Sequence, residues 1–169
     1  MAKYAAATIN MWDYDGGATT AWQQAPRPKP AVTATTTPTP TQEVSIWIKS
    51  AVQLPKWFEK ARDALNALSA LPANWNSYAA LQIDVEAVTG AVELLLGVMD
   101  ENKPLPTFVP VSHGGVLLEW HTAAADLEIG ILPSGRIHVV FEKADAEPTE
   151  LEGLPQELME PVRGFLQAI

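Results

Sequence analysis

The chain has 169 residues, of which 47% are hydrophobic and 18% charged, and its formal net charge is -9. This length suits one globular domain with a tail and leaves little room for two full domains. Because there is no cysteine, disulfides, cysteine-ligated zinc and a thiol nucleophile are excluded. The sequence contains neither a long apolar run nor a secretory signal pattern, so we expect a soluble, cytoplasmic protein with no membrane contact.

The negative charge is concentrated in the later part of the chain. Residues 1–50 contain four Lys/Arg and three Asp/Glu, whereas residues 51–169 contain seven and seventeen. An acidic surface repels phosphate backbones and attracts basic proteins. We therefore expect a protein partner, either basic or multi-subunit, and no direct binding of nucleic acid. The alternative is that the charge serves only solubility.

Composition divides the chain into three regions. Residues 1–24 form a tail with aromatic residues, residues 25–42 form a Thr/Pro-rich linker that cannot bury a core, and residues 43–169 form the domain. Short aromatic segments often dock on other proteins, although the tail could equally be unstructured. The candidate partner-binding residues of the tail are Tyr4, Trp12, Tyr14 and Trp22.

Apolar residues at helical spacing predict three helices in the domain. Pro55 fits the first turn of the first helix, which ends near Ala70. Asp84 is a suitable N-cap for the second helix, and Pro104 prevents its continuation. The third helix follows Pro155. The segment just before Pro55 fits either a helix or a short strand.

Four apolar-alternating segments between Thr107 and Glu142 predict a four-stranded antiparallel meander. The loop Pro133-Ser134-Gly135 sets the register between the third and fourth predicted strands. A Gly114-Gly115 turn sets the register between the first and second. The predicted cross-strand pairs are Val111–Leu118, Val109–Trp120, Trp120–Leu127, Leu118–Ile129, Val116–Ile131, Ile131–Ile137, Ile129–Val139 and Leu127–Phe141. The predicted fold class is α+β, with helices on the apolar face of the meander and an extended N-terminal tail.

The same register gives the meander a second, polar face. Its candidate partner-binding residues are Glu119, His121, Asp126, Glu128, His138 and Glu142. Glu119 and Glu128 oppose each other, an arrangement compatible with solvation, a basic side chain or a metal. Such a cluster can bind a metal or do acid-base chemistry, but no ligand spacing is diagnostic. We expect a non-catalytic face with neither metal nor cofactor.

Between the first two predicted helices lies a loop with Trp75 and Tyr78, which are large side chains for a loop. We expect both to pack over the helix ends or against the sheet. They form either an ordered plug or the wall of a binding pocket.

Two motifs carry a resemblance that covers about residues 56–142. The first is Leu71-Pro72-Ala73-Asn74-Trp75 ahead of a helix, and the second is the strand Gly114-Gly115-Val116-Leu117-Leu118-Glu119-Trp120. Together they resemble a pattern in small, mostly uncharacterised bacterial proteins. The resemblance implies no catalytic residue and no settled activity, and it suggests mobile elements, toxin–antitoxin pairs or phage defence as a context.

These observations predict a non-catalytic interaction protein or accessory subunit, anchored to a larger bacterial assembly by its acidic domain and aromatic tail. An exposed sheet edge could also pair two copies into a homodimer. One alternative is a metal-dependent hydrolase that uses Glu119, His121, Asp126 and Glu128. Another is an accessory subunit of a phage particle or nucleoprotein assembly, with the tail along neighbouring chains.

Overall fold

The computed structural model describes residues 54–144 and 146–169. The predicted tail residues Tyr4, Trp12, Tyr14 and Trp22, the linker and the segment before Pro55 lie outside the described residues. The described elements are α1 (Phe58–Ser69), α2 (Val85–Val98), β1 (Thr107–Pro110), β2 (Val116–His121), β3 (Ala125–Ile131), β4 (Ile137–Lys143), β5 (Thr149–Gly153) and α3 (Pro155–Leu166). The fold is α+β, as the sequence predicts.

The sheet is antiparallel and has five strands in the order β1-β2-β3-β4-β5, so the prediction of four strands was wrong. The fifth strand, β5, has the sequence Thr-Glu-Leu-Glu-Gly, in which Leu151 is the only large apolar residue. An edge strand with so little apolar content gives a weak period-two signal. Its position is fixed by pairing with β4, where Leu151 lies opposite Val139.

The predicted registers of β2, β3 and β4 are confirmed. Leu118 lies opposite Ile129, and Ile129 lies opposite Val139 on the next strand. The β3–β4 loop is closed by the Leu132 amide, which donates to the Arg136 carbonyl at 2.9 Å. Gly135 in that loop has a φ of 77°, the left-handed conformation that a three-residue hairpin loop requires.

The predicted register of β1 was wrong by three residues. Leu118 lies opposite Phe108 rather than Val111. The β1–β2 turn is not a two-residue Gly114-Gly115 turn: the Val111 amide donates to the Gly115 carbonyl at 3.0 Å, and Gly114 has a φ of 90°. This turn therefore resembles the β3–β4 loop. Side chains alternate between the two faces of a strand, so a shift by three residues, an odd number, moves each β1 side chain to the face opposite the predicted one.

The three predicted helices are present, with small differences at their ends. α1 begins at Phe58 rather than at Pro55, whose carbonyl accepts from the Phe58 amide. Asp84 caps α2 by accepting from the Glu86 amide at 2.8 Å. α3 includes Pro155 as its first residue, whereas the prediction placed the helix just after this proline. No helix in the described part of the chain is long and apolar enough to cross a membrane.

All three helices contribute to one hydrophobic core with a single face of the sheet. Leu65 of α1, Leu95 of α2 and Val162 of α3 are buried there. Phe165 of α3 stacks on Phe141 of β4, with ring centroids 4.4 Å apart. We call this side of the sheet the inner face and the opposite side, which none of these helices covers, the outer face.

Candidate functional site: the acidic outer face of the sheet

The outer face of the sheet carries many charged side chains, because every second residue of each strand points to that side. Arg136 also lies on this side, at the start of β4, and its Nε donates to Glu152 of β5 at 3.0 Å. In the described strands, no Lys or Arg occupies an outward position of the paired registers, and Lys143 lies at the edge of the sheet, opposite Ala125. The carboxylates there are Glu119, Asp126, Glu128, Glu142, Glu150 and Glu152. The outer face therefore carries a large excess of negative charge.

The structure brings together five of the six residues that the sequence predicted for this face. Glu119 lies opposite Glu128, His121 lies opposite Asp126, and Asp126 is flanked by Glu142 on β4. We call these five residues the carboxylate–histidine cluster. The sixth residue, His138, lies further along β4, opposite Gly130.

His121 is held by Asp126, because its Nδ1 is 3.0 Å from Asp126 Oδ1. Its Nε2 lies 3.9 Å from Glu119 Oε2. The hydrogen bond to Asp126 raises the pKa of His121 above its ordinary value, and the charges of Asp126, Glu119 and Glu128 act in the same direction. Partial burial opposes this effect.

The two opposed glutamates of the cluster also affect each other. Partial burial raises the pKa of Glu128 above its ordinary value, and the negative charge of Glu119 raises it further. Nearby His121 acts in the opposite direction. Ionised Glu128 is therefore less stable in the folded chain than it is in water.

Sequence reasoning missed three charged residues of the outer face. Glu150 and Glu152 belong to β5, which was not predicted, and Arg136 was not among the candidate residues. His138 Nε2 is 4.0 Å from Glu150 Oε2. The alternation of Glu150, Leu151 and Glu152 is the signal that could have identified this strand.

A shallow depression of about 250 Å³ adjoins the cluster at the β2–β3 turn. Its lining is formed by Thr122, Asp126, Glu142, Lys143 and the four alanines Ala123, Ala124, Ala125 and Ala144. The polar half of this lining makes the depression part of the charged surface rather than a mostly apolar ligand pocket.

The predicted packing of Tyr78 was wrong, because 88% of its surface is exposed. Trp75 is half-buried, and its Nε1 donates to the Leu81 carbonyl at 3.2 Å. The loop is ordered by side-chain amides: Asn74 Oδ1 accepts from the Ala79 amide, and Asn76 Oδ1 accepts from the Tyr78 amide. The role of Trp75 and Tyr78 as a pocket wall stays a prediction.

Comparison with protein-family models, curated proteins and solved structures gave no match. The resemblance to small bacterial proteins therefore stays a prediction, and the chemistry of the outer face carries the functional argument.

Proposed function

We propose that this protein is a non-catalytic interaction protein whose outer sheet face binds a basic protein partner. The observation that carries this proposal is the charge of that face, where six carboxylates share one ion-paired arginine in the described part of the chain. Such an excess attracts a positively charged surface and accelerates its association. A basic partner would also relieve the repulsion between Glu119 and Glu128.

Apolar residues on the same face support a protein partner rather than small cations alone. Val109 and Leu117 oppose each other on β1 and β2, and Val140 lies opposite Glu128 on β4. All three side chains are half-buried and face outward. Val140 is flanked by Glu128 and Glu150, and the pair Val109–Leu117 lies beside Gly130, so the face has two small apolar areas among its charges. Protein–protein interfaces combine apolar contact areas with a polar rim.

The aromatic tail is the second contact of this proposal. A tail that binds the same assembly as the domain raises the overall affinity through effective concentration, without any new contact on the domain. Tyr4, Trp12, Tyr14 and Trp22 are the proposed anchors. We infer an accessory role in a larger bacterial assembly, in a defence, toxin–antitoxin or phage context suggested by the two sequence motifs.

Homodimer formation through a sheet edge has less support than a basic partner. The edge strand β1 is short and ends at Pro110, whereas the other edge, β5, carries Glu150 and Glu152. Both features are ones by which proteins limit edge-to-edge pairing. The hydrolase alternative has less support as well, since its residues lie on a sheet face rather than within a deep cleft.

The test is affinity purification and mass spectrometry from the native host, with the full chain, a chain lacking residues 1–42, and Glu142→Gln with Glu150→Gln. The matched control is Glu59→Gln with Glu93→Gln, which removes the same charge from exposed positions on α1 and α2. We expect a stoichiometric basic partner that the outer-face variant and the tail deletion each retain less well, while the control retains it fully.

Salt dependence then separates this interaction from an apolar one. The affinity of the purified pair should fall as ionic strength rises, and the outer-face variant should show a smaller slope. Equal retention of every partner by the outer-face variant and the helix-surface control would contradict the proposal.

A further inference from the structure

Three potential ligand atoms meet at one point of the carboxylate–histidine cluster. Glu119 and His121 lie two residues apart on β2, so their side chains share the outer face, and Glu128 of β3 lies directly opposite Glu119. One carboxylate oxygen from each glutamate and one imidazole nitrogen all lie within 4.8 Å of one another. The sheet register therefore brings together a donor set of two carboxylates and one imidazole.

The histidine of this set has a defined orientation. Its Nδ1 lies 3.0 Å from Asp126, which is outside the donor set, and an ionised carboxylate only accepts hydrogen bonds. Nδ1 must therefore carry the hydrogen. In the neutral ring, Nε2 then holds a lone pair 3.9 Å from an oxygen of Glu119. This repulsion is relieved either by a proton on Nε2, which forms an ion pair with Glu119, or by a metal cation that both atoms bind in place of that proton.

The contact between Asp126 and His121 resembles the one that often orients a metal-binding histidine. Histidines that ligate metals usually donate their second ring nitrogen to a carboxylate or carbonyl, which fixes the tautomer and makes the ligating nitrogen more basic. Asp126 occupies this position for His121. In the described part of the chain, neither Glu119 nor Glu128 forms an ion pair with Lys or Arg. The negative charge of the pair is thus available to a cation.

We propose that Glu119, His121 and Glu128 bind a divalent first-row transition metal, for which Zn²⁺ is the first candidate. A mixed set of imidazole and carboxylate donors favours such metals over Ca²⁺ or Mg²⁺, which prefer oxygen ligands alone. This site goes beyond the proposed partner binding and does not depend on it.

The donor distances are compatible with Zn²⁺ after small side-chain rotations. Ligand atoms about 2.0–2.2 Å from a tetrahedral zinc lie about 3.3 Å from one another. The three donors need to approach by about 1.5 Å at most, since all of them lie within 4.8 Å of one another. His121 is 54% exposed and can make this movement. The fourth zinc position would face solvent or a partner's side chain.

The experiment is a calorimetric titration of the full chain with ZnCl₂ at neutral pH, after removal of bound metals with EDTA. We expect one Zn²⁺ per chain at this site. Glu119→Gln, His121→Asn and Glu128→Gln should each weaken binding more than the about 10- to 100-fold loss expected when an outer partner such as Asp126 is removed by Asp126→Ala. Asp126→Asn should recover most of the affinity, because its amide oxygen still accepts from Nδ1.

Two controls lie on the same face outside the donor set. His138→Asn matches His121→Asn, and Glu150→Gln matches the glutamate variants; both should bind Zn²⁺ as the unaltered chain does. Circular dichroism of each variant checks that it is folded. Absence of Zn²⁺ binding, or equal binding by the donor variants and their controls, would overturn the proposal. Since no partner is present, neither result bears on the proposed interaction with a basic protein.

Discussion

Along β2, β3 and β4, the side chains that face the helices are apolar and buried, except for Lys143 at the end of β4, whereas most of those that face away are acidic or histidine. The two faces alternate residue by residue along the same strands, so neighbours such as Glu128 and Ile129 lie in opposite environments. The inner face contributes to stability through burial, and the outer face holds charges that reduce stability. Residues kept at a cost to stability are candidates for function.

The largest expected effect comes from the inner face. Ile129→Ala removes a fully buried side chain from the central strand β3 and should lower the free energy of unfolding by about 2–5 kcal/mol. Val140→Ala is the control, because Val140 is half-buried on the outer face of the neighbouring strand. Urea denaturation measures both. Equal losses in the two variants would mean that the outer face is also covered in solution.

The next largest loss of stability is expected in the β1–β2 turn, which fixes the strand register and therefore the face on which each β1 side chain lies. Gly114→Ala should cost about 1–2 kcal/mol for its positive φ, and more because the new Cβ would lie 3.1 Å from the Gln82 carbonyl oxygen. Gly135→Ala is the matched control: it also has a positive φ, but its Cβ would meet no described atom within 4 Å. Thermal unfolding should show the larger loss for Gly114→Ala, and the reverse order would contradict the described β1–β2 turn.

A smaller effect of opposite sign is expected on the outer face. Glu128→Gln removes one of two opposed carboxylates and should raise the free energy of unfolding by about 0.2–1 kcal/mol at neutral pH in metal-free buffer. The pKa of Glu128 is raised in the folded chain, so its ionised form is destabilising and this gain should disappear at acidic pH. Glu93→Gln on α2 is the control. A loss of stability in Glu128→Gln at neutral pH would show that its charge has a favourable partner.

The smallest expected effect is on the pH dependence of stability, for which His113 of the β1–β2 turn and His121 of the cluster differ. Burial lowers the pKa of His113, whereas the carboxylates raise that of His121. The unfolded chain then takes up a proton at position 113 before the folded chain does, so stability is lost as pH falls below about 6.5. Measured by urea denaturation between neutral pH and pH of about 5, the unaltered chain should lose more stability than His113→Asn. An equal loss would show that His113 titrates alike in both states.

The registers of β2, β3 and β4 were predictable because two independent constraints agreed. Apolar residues at every second position selected the inner face, and a three-residue loop ending in glycine fixed the pairing of Leu132 with Arg136. The opposition of Glu119 and Glu128 followed from the same register. The cluster could therefore be located from the sequence without knowledge of the helices.

The β1 register was not predictable in the same way. Val109 and Val111 supplied an apolar alternation that suited the wrong face, while Phe108 and Pro110 supplied the correct one. Only the turn distinguished the two possibilities, and the adjacent glycines Gly114 and Gly115 allowed two turn lengths. Tertiary contacts favour the longer turn, since the carbonyls of Ser112 and Gly114 accept from the Leu81 and Asp84 amides at 2.7 and 2.9 Å.

By itself, the sequence determined the α+β class, the starts of α2 and α3 and the acidic character of one sheet face, because each depends on local periodicity, capping or loop length. Tertiary structure alone decided the fifth strand, the face of β1 and the exposure of Tyr78. The face of β1 and the exposure of Tyr78 depend on which surfaces meet across the chain. β5 follows β4 closely in sequence, but Leu151 is its one large apolar residue, so its alternation is weak and pairing with β4 decides its position.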